Sequence, residues 1–235
     1  MASESSGTLP NHDVAVGLGT ESPLFVDFGC GSGRSLSFAE EVMGGPGIGI
    51  DRSPDAIATC AAKGYAVRTE NLLDFQERSV ANASFAMDVL PELGGGGAFE
   101  QGWINIVRAA RDFTLIQHLC FDTDDALWSR GLYSPTFQNK AIQFKPRISD
   151  YLQLVDKHAR ALNIVGVAMF GIGAATIEPF RNVSLDIPQT GDRLDLPTYR
   201  SVRVLVARKK LSRFEHAVKR LAVGESIIVW KQSGQ

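Results

Sequence analysis

At 235 residues, with 44% hydrophobic and 21% charged side chains, the chain has the make-up of one ordinary globular domain with a modest extension. Its formal net charge of -2 gives no electrostatic reason to expect nucleic acid or an anionic membrane as the main partner, and a small molecule suits it better. Cys30, Cys60 and Cys120 are odd in number and lack CxxC pairing, which argues against a disulfide framework or a zinc site and for reduced thiols in a cytoplasmic protein. The polar opening, "MASESSGTLPNHDV", has no signal-peptide pattern, and no apolar run approaches the roughly 20 residues of a membrane span.

In chain order, residues 1–22 are rich in Ser, Gly and Thr and predict a flexible segment. "LFVDFG" then reads as a buried strand, and "RSLSFAEEVM" carries Leu36, Phe38, Ala39, Val42 and Met43 at helical spacing. "GPGIGID" is a second strand ending in an acid. "SPDAIATCAAKG" follows with Ser53 as cap, Pro54 at the first helical position and Gly64 past the end. "YAVRTENLLDF" predicts a third strand with its exit loop, and "VANASFAMDVL" a fourth. Gly94 to Gly97 predict a flexible loop before the helix "AFEQGWINIVRAARDF", and "TLIQHLCF" is strand five.

Residues 121–148 lack a clean period and are long for a connection, as expected of a lid in which Trp128, Tyr133, Phe137 and Phe144 can form an apolar cluster. "SDYLQLVDKHARAL" predicts an amphipathic helix capped by Ser149, followed by the apolar strands "NIVGVAMFGIG" and "RSVRVLVARK". The tail, 210–235, reads as a helix and a strand that extend a main domain of residues 23–209. This alternation predicts a doubly wound α/β fold, a mostly parallel seven-stranded sheet with helices on both faces and an antiparallel edge strand.

A glycine turn between a first strand and a first helix lets backbone approach a ligand closely and offers it the amides of the helix start. In "LFVDFGCGSGRS" the third glycine of a dinucleotide fingerprint falls on Arg34, which counts against NAD, and no Gly-Lys-Ser/Thr ends the turn as a triphosphate loop requires. The pattern that remains is Asp27-x-Gly29-x-Gly31-x-Gly33, and here the chain resembles the class I S-adenosylmethionine-dependent methyltransferases. "GIGIDRSPDAI", "TENLLDF" and "MDVLPEL" extend the likeness over roughly residues 24–120.

The resemblance implies S-adenosylmethionine as cofactor, S-adenosylhomocysteine as product, and methyl transfer as the activity. It assigns Asp27, Gly29, Cys30, Gly31 and Gly33 to the turn under the methionine tail, Cys30 being a small filler there. Asp51, with Arg52 beside it, falls to the ribose hydroxyls, Asn71 and Leu72 to the adenine, and Met87 to the methionine end. Ile50, Leu72 and Phe75 would complete an apolar slot. The Asp/Asn-Pro-Pro-aromatic tetrad of base-amine methylation, a Pro-Cys nucleophile and the Asp-Asn pair of metal-dependent relatives are all missing, so no metal is expected. A hydroxyl, carboxyl or amine on a small molecule or glycan-like precursor is left as acceptor.

His118, Glu92 and Asp122, placed near the carboxyl edge of the sheet, are the residues from which an acid or base is drawn. A catalytically silent cofactor-binding protein and an NAD-type oxidoreductase stand as alternatives.

Overall fold

The computed structural model describes residues 22–122, 124, 132–133, 141–174, 181–182, 199–209, 215–222 and 224–231. Its first half is β1 (Phe25–Phe28), α1 (Arg34–Met43), β2 (Ile48–Asp51), α2 (Pro54–Ala62), β3 (Ala66–Thr69), β4 (Ala81–Met87), α3 (Gly95–Ala109) and β5 (Ala110–Leu119). Short 3-10 turns, Leu72–Asp74 and Leu90–Glu92, follow β3 and β4. The second half is β6 (Leu132–Tyr133), α4 (Ile148–Leu162), β7 (Gly166–Ala174), β8 (Arg181–Asn182), β9 (Tyr199–Ala207), α5 (Glu215–Leu221) and β10 (Glu225–Lys231). β6 and β8 pair with each other, apart from the main sheet.

The main sheet runs β10-β7-β9-β5-β4-β1-β2-β3. Its last five strands are parallel, β9 is antiparallel between β5 and β7, and β10 is antiparallel along the outer side of β7. The expected fold class is therefore present, with eight strands in place of seven. The eighth comes from the tail: Ile227 and Ile228 pack against the core, and pairing satisfies the edge of β7 that would otherwise stand open. The expected antiparallel edge is present beyond β5, with β9 between β5 and β7 and β10 outermost.

Strand alternation divides the core into two layers. Phe25, Phe85, Leu115 and Leu205 face α1, α2 and α5, where Leu36, Ala39, Cys60 and Leu221 cover them. Val26, Phe28, Ile116 and Val204 face α3 and α4, where Trp103, Ile106, Tyr151 and Leu154 do so. α3 is also tied down by polar bonds. Asn105 Nδ2 donates to the carbonyls of Leu72 (2.7 Å) and Leu73 (3.1 Å), and Arg108 donates to the Phe75 carbonyl. These bonds fix the turn after β3, which the site uses.

Three boundaries differ from the sequence reading. α3 begins inside the glycine run, at Gly95, because burial of Phe99, Trp103 and Ile106 outweighs the poor helix propensity of the glycines. β5 starts directly at Ala110, so "RDF" is strand and not helix. α4 is capped at Arg147, whose N–H donates to Asp150 Oδ2 at 2.7 Å, and not by Ser149. The N-terminal segment through residue 21 and the side chains of Trp128, Tyr133 and Phe137 lie outside the described residues. Phe144 packs on Phe99 with ring centroids 4.9 Å apart.

Candidate functional site

β1 is flanked by β2 on one side and β4 on the other, so its carboxyl end opens at the point where strand order reverses, the place where α/β sheets bind ligands. The chain turns there through Gly29, Gly31 and Gly33, all in the left-handed region at φ 68°, 52° and 91°. The three glycines do different jobs. A β-carbon on Gly29 would stand 2.2 Å from Val89 Cγ2, and one on Gly33 3.0 Å from the Tyr65 ring, so both permit close packing. A β-carbon on Gly31 would meet nothing nearer than the Gly29 carbonyl at 4.0 Å, and it would take up cavity space.

The turn is held from several directions. The amides of Gly29 and Cys30 donate to the Ile50 carbonyl at 2.7 and 3.2 Å. Asp51 accepts the Gly31 amide on Oδ2 and the Ser53 amide on Oδ1, both at 2.9 Å. From α2 and its end, Cys60 Sγ reaches the Gly31 carbonyl at 3.1 Å, and Lys63 Nζ reaches that of Ser32 at 2.5 Å. Asp51 thus organises the backbone around the cavity while lining it. Ser53 caps α2 as expected, accepting the Ala56 amide at 3.3 Å.

Asp27 lies beneath the turn with no exposed surface. Ser35 Oγ donates to its Oδ2 at 2.5 Å, and its Oδ1 has no hydrogen-bond partner. Burial pushes its carboxyl up to about 7, against the pull of the Ser35 bond, with the Asp51 charge adding to the rise. Cys30 is buried, packs under the turn towards Gly49, and has its thiol raised by burial, so it is a packing residue with no reactive character.

A cavity of about 350 Å³ opens above these residues, within the range of small-molecule sites. Of the expected cofactor set, Gly29, Gly31, Asp51, Arg52, Asn71, Leu72 and Met87 line it, whereas Asp27, Cys30 and Gly33 lie behind it. Ile50 and Leu72 are in the apolar slot as expected, but Phe75 is buried edge-on against Phe28, with ring centroids 4.9 Å apart. The Asn71 side chain is engaged in the turn it begins, accepting the Leu73 amide at 3.1 Å and donating to Asp74 at 3.0 Å. Asp88, Glu70 and Gln143, which the sequence reading did not select, also line the cavity. Asp88 had a visible signal, its place directly after β4, and its backbone takes the left-handed region at φ 60°.

The three residues considered for acid or base chemistry separate widely. Glu92 stands on the cavity wall, where desolvation raises its carboxyl and Arg52 opposes the rise. His118 is fully buried on the α4 side of β5, stacked between Phe121 and Tyr151, with Nε2 2.7 Å from the Tyr151 hydroxyl and Nδ1 2.6 Å from the Leu119 carbonyl. Burial lowers it to about 4, so it is neutral at ordinary pH, and it does not line the cavity. Asp122 accepts the Ile148 amide at 2.9 and 3.2 Å and anchors the start of α4. Among the described residues, no group of three or more His, Cys, Asp or Glu can hold a metal ion, and no helix is long and apolar enough to cross a membrane.

Residues 16–92, about a third of the chain, match the family profile described as "Methionine biosynthesis protein MetW". No curated protein matches the sequence significantly. Among solved structures, an S-adenosylmethionine-dependent methyltransferase of Archaeoglobus fulgidus aligns with TM-score 0.58 at 11% identity, over 78% of this chain and 85% of its own. The magnesium protoporphyrin IX methyltransferase of Synechocystis, solved with bound S-adenosylhomocysteine, aligns with TM-score 0.53 at 12% identity, over 80% and 75%. An S-adenosylmethionine-dependent methyltransferase of Methanosarcina mazei aligns with TM-score 0.53 at 12% identity, over 78% and 91%.

Proposed function

We propose that this chain, which shares its fold with S-adenosylmethionine-dependent methyltransferases, binds S-adenosylmethionine in its cavity and transfers a methyl group to a small-molecule acceptor. The observation that carries this reading is the conjunction at one sheet edge of the Gly31 cradle, open where a side chain would intrude, and the Asp51 carboxylate beside it. The cavity suits a nucleoside joined to an amino acid. The open side of Gly31 takes the amino-acid tail, Asp51 keeps lone pairs free for ribose hydroxyls beyond its two amide bonds, and Ile50 and Leu72 flank the base.

When bound against Gly31, Asp51, Ile50 and Leu72, the cofactor would supply an electrophilic sulfonium methyl with S-adenosylhomocysteine as its leaving group. The chain's work is then to align donor and acceptor and to keep water out. Met87 and Leu93 provide apolar walls for this, and Gln143 lines the cavity beside Gly94. Of the three residues considered for proton removal, Glu92 alone lines the cavity, and it is the one we assign to an acceptor that must lose a proton. Hydroxyl and amine acceptors on small molecules suit such a site.

Thermal unfolding tests the proposal. S-adenosylhomocysteine at 100 times its dissociation constant raises stability by about 2.7 kcal/mol, a shift of about 5–10 °C for a chain of this size. An unmoved melt, or an equal shift with NADH, overturns the reading.

A further inference from the structure

Beside the cofactor cavity, and sharing Met87 and Asp88 with it, lies a second cavity of about 330 Å³ on the α1 side of the sheet. Register builds its floor. Met87 of β4 pairs with Gln117 of β5, and Gln117 pairs with Arg203 of β9, so the three side chains form one row across the sheet. Two residues earlier on the same face the row is Phe85, Leu115 and Leu205, wholly apolar and buried. An amide and a guanidinium therefore replace core side chains where the sheet opens.

The guanidinium of Arg203 is held rigidly by neutral groups. Its Nε donates to Gln117 Oε1 at 2.6 Å, its Nη1 donates to the Leu221 carbonyl at 3.2 Å, and it lies over the Phe38 ring, 5.6 Å from the centroid. No carboxylate among the described residues pairs with it. Partial burial of an uncompensated cation is costly, and a fixed planar fork is suited to two parallel bonds from an oxyanion. Arg34, the first residue of α1, adds a second positive charge to the same wall, and Asp88, at the boundary with the cofactor cavity, is the one acid among the lining residues. Phe38 and Met87 supply apolar surface between the charges.

The geometry points to this cavity as the acceptor subsite, built for a small molecule that carries a carboxylate on an apolar body. The inference rests on the methyl-donor reading for the word acceptor, and on the second cavity alone for the ligand class. Pairing with Arg203 makes the carboxylate oxygens poor nucleophiles, so the carboxylate serves as an anchor. The methylated atom is then a hydroxyl or amine at the other end of the molecule, towards Asp88 and the shared wall.

Benzoate and its neutral analogue benzamide are the probes, titrated by NMR into the whole protein saturated with S-adenosylhomocysteine. Benzoate should bind at least tenfold tighter than benzamide. Arg203→Gln should weaken benzoate at least tenfold and leave benzamide unchanged; Arg34→Gln, which removes a side chain making no hydrogen bond among the described residues, should weaken benzoate several-fold. Both variants should bind S-adenosylhomocysteine within about threefold of the wild type, which also reports an intact fold. Equal binding of the two probes, or benzoate affinity indifferent to both substitutions, overturns the subsite. Absence of S-adenosylhomocysteine binding to the wild type instead overturns the methyl-donor reading and the acceptor role with it, whatever benzoate does.

Discussion

Replacing Asp27 by Asn isolates the strain held beneath the turn. The carboxyl is fully buried and has one oxygen without a partner, and burial pushes it up from its ordinary value of 3.8 to about 7. A folded value above the unfolded one means that the fold is most favoured below the unfolded value, and that stability is lost as pH rises through the folded value. Between pH 5 and pH 8 this single group should remove about 2–3 kcal/mol of stability from the wild type. Asn cannot ionise, so its own fixed cost, an amide with unmet donors worth about 1–3 kcal/mol, is the same at both pH values. The difference in unfolding free energy, variant minus wild type, should therefore move in the variant's favour by about 2–3 kcal/mol from pH 5 to pH 8. Urea unfolding of both proteins at a series of pH values measures it, with every other titrating group cancelling in the difference. Parallel pH profiles would show that Asp27 is not a strained ionisable group and would refute the reasoning.

His118→Phe should give the opposite trend. Burial lowers the histidine from its ordinary 6.5 to about 4, so the wild type should lose about 3 kcal/mol through it as pH falls from 7 to 4, a loss that the variant should lack in the same unfolding series. At pH 7 the variant should be less stable by about 1–3 kcal/mol, because the Tyr151 hydroxyl is left unpartnered. The glycines of the turn should separate by phenotype. Gly29→Ala drives a methyl into Val89 and should destabilise the fold by several kcal/mol, whereas Gly31→Ala adds only the backbone strain of about 1–2 kcal/mol but should weaken S-adenosylhomocysteine binding, as calorimetry on the folded protein would record.

What could be read from the sequence was local. The spacing in "RSLSFAEEVM" and the Ser53-Pro54 start of α2 report interactions within a few residues, and both helices occur where these signals put them. The glycine turn was equally legible as a turn, but its letters did not tell Gly31, open to the cavity, from Gly29 and Gly33, which serve packing. β10 was visible as a strand, whereas its place in the sheet depends on the long return of the chain to β7. His118 shows the limit most plainly. Adjacent strand residues face opposite sides, so it enters the α4 layer while its neighbour Gln117 reaches the second cavity. The Gln117–Arg203 pair joins residues 86 positions apart, and only the pairing of β5 with β9 brings them together.

The central claim is tested most directly by titrating S-adenosylhomocysteine into the wild type and Asp51→Asn by calorimetry. Asn keeps one acceptor oxygen and replaces the other with a donor, so it cannot both hold the Gly31 and Ser53 amides and receive ribose hydroxyls. A loss of about 2 kcal/mol in binding corresponds to a roughly thirtyfold weaker dissociation constant. The account predicts one equivalent bound by the wild type and at least that weakening in the variant; no heat from the wild type, or equal affinity in a folded Asp51→Asn, would contradict it.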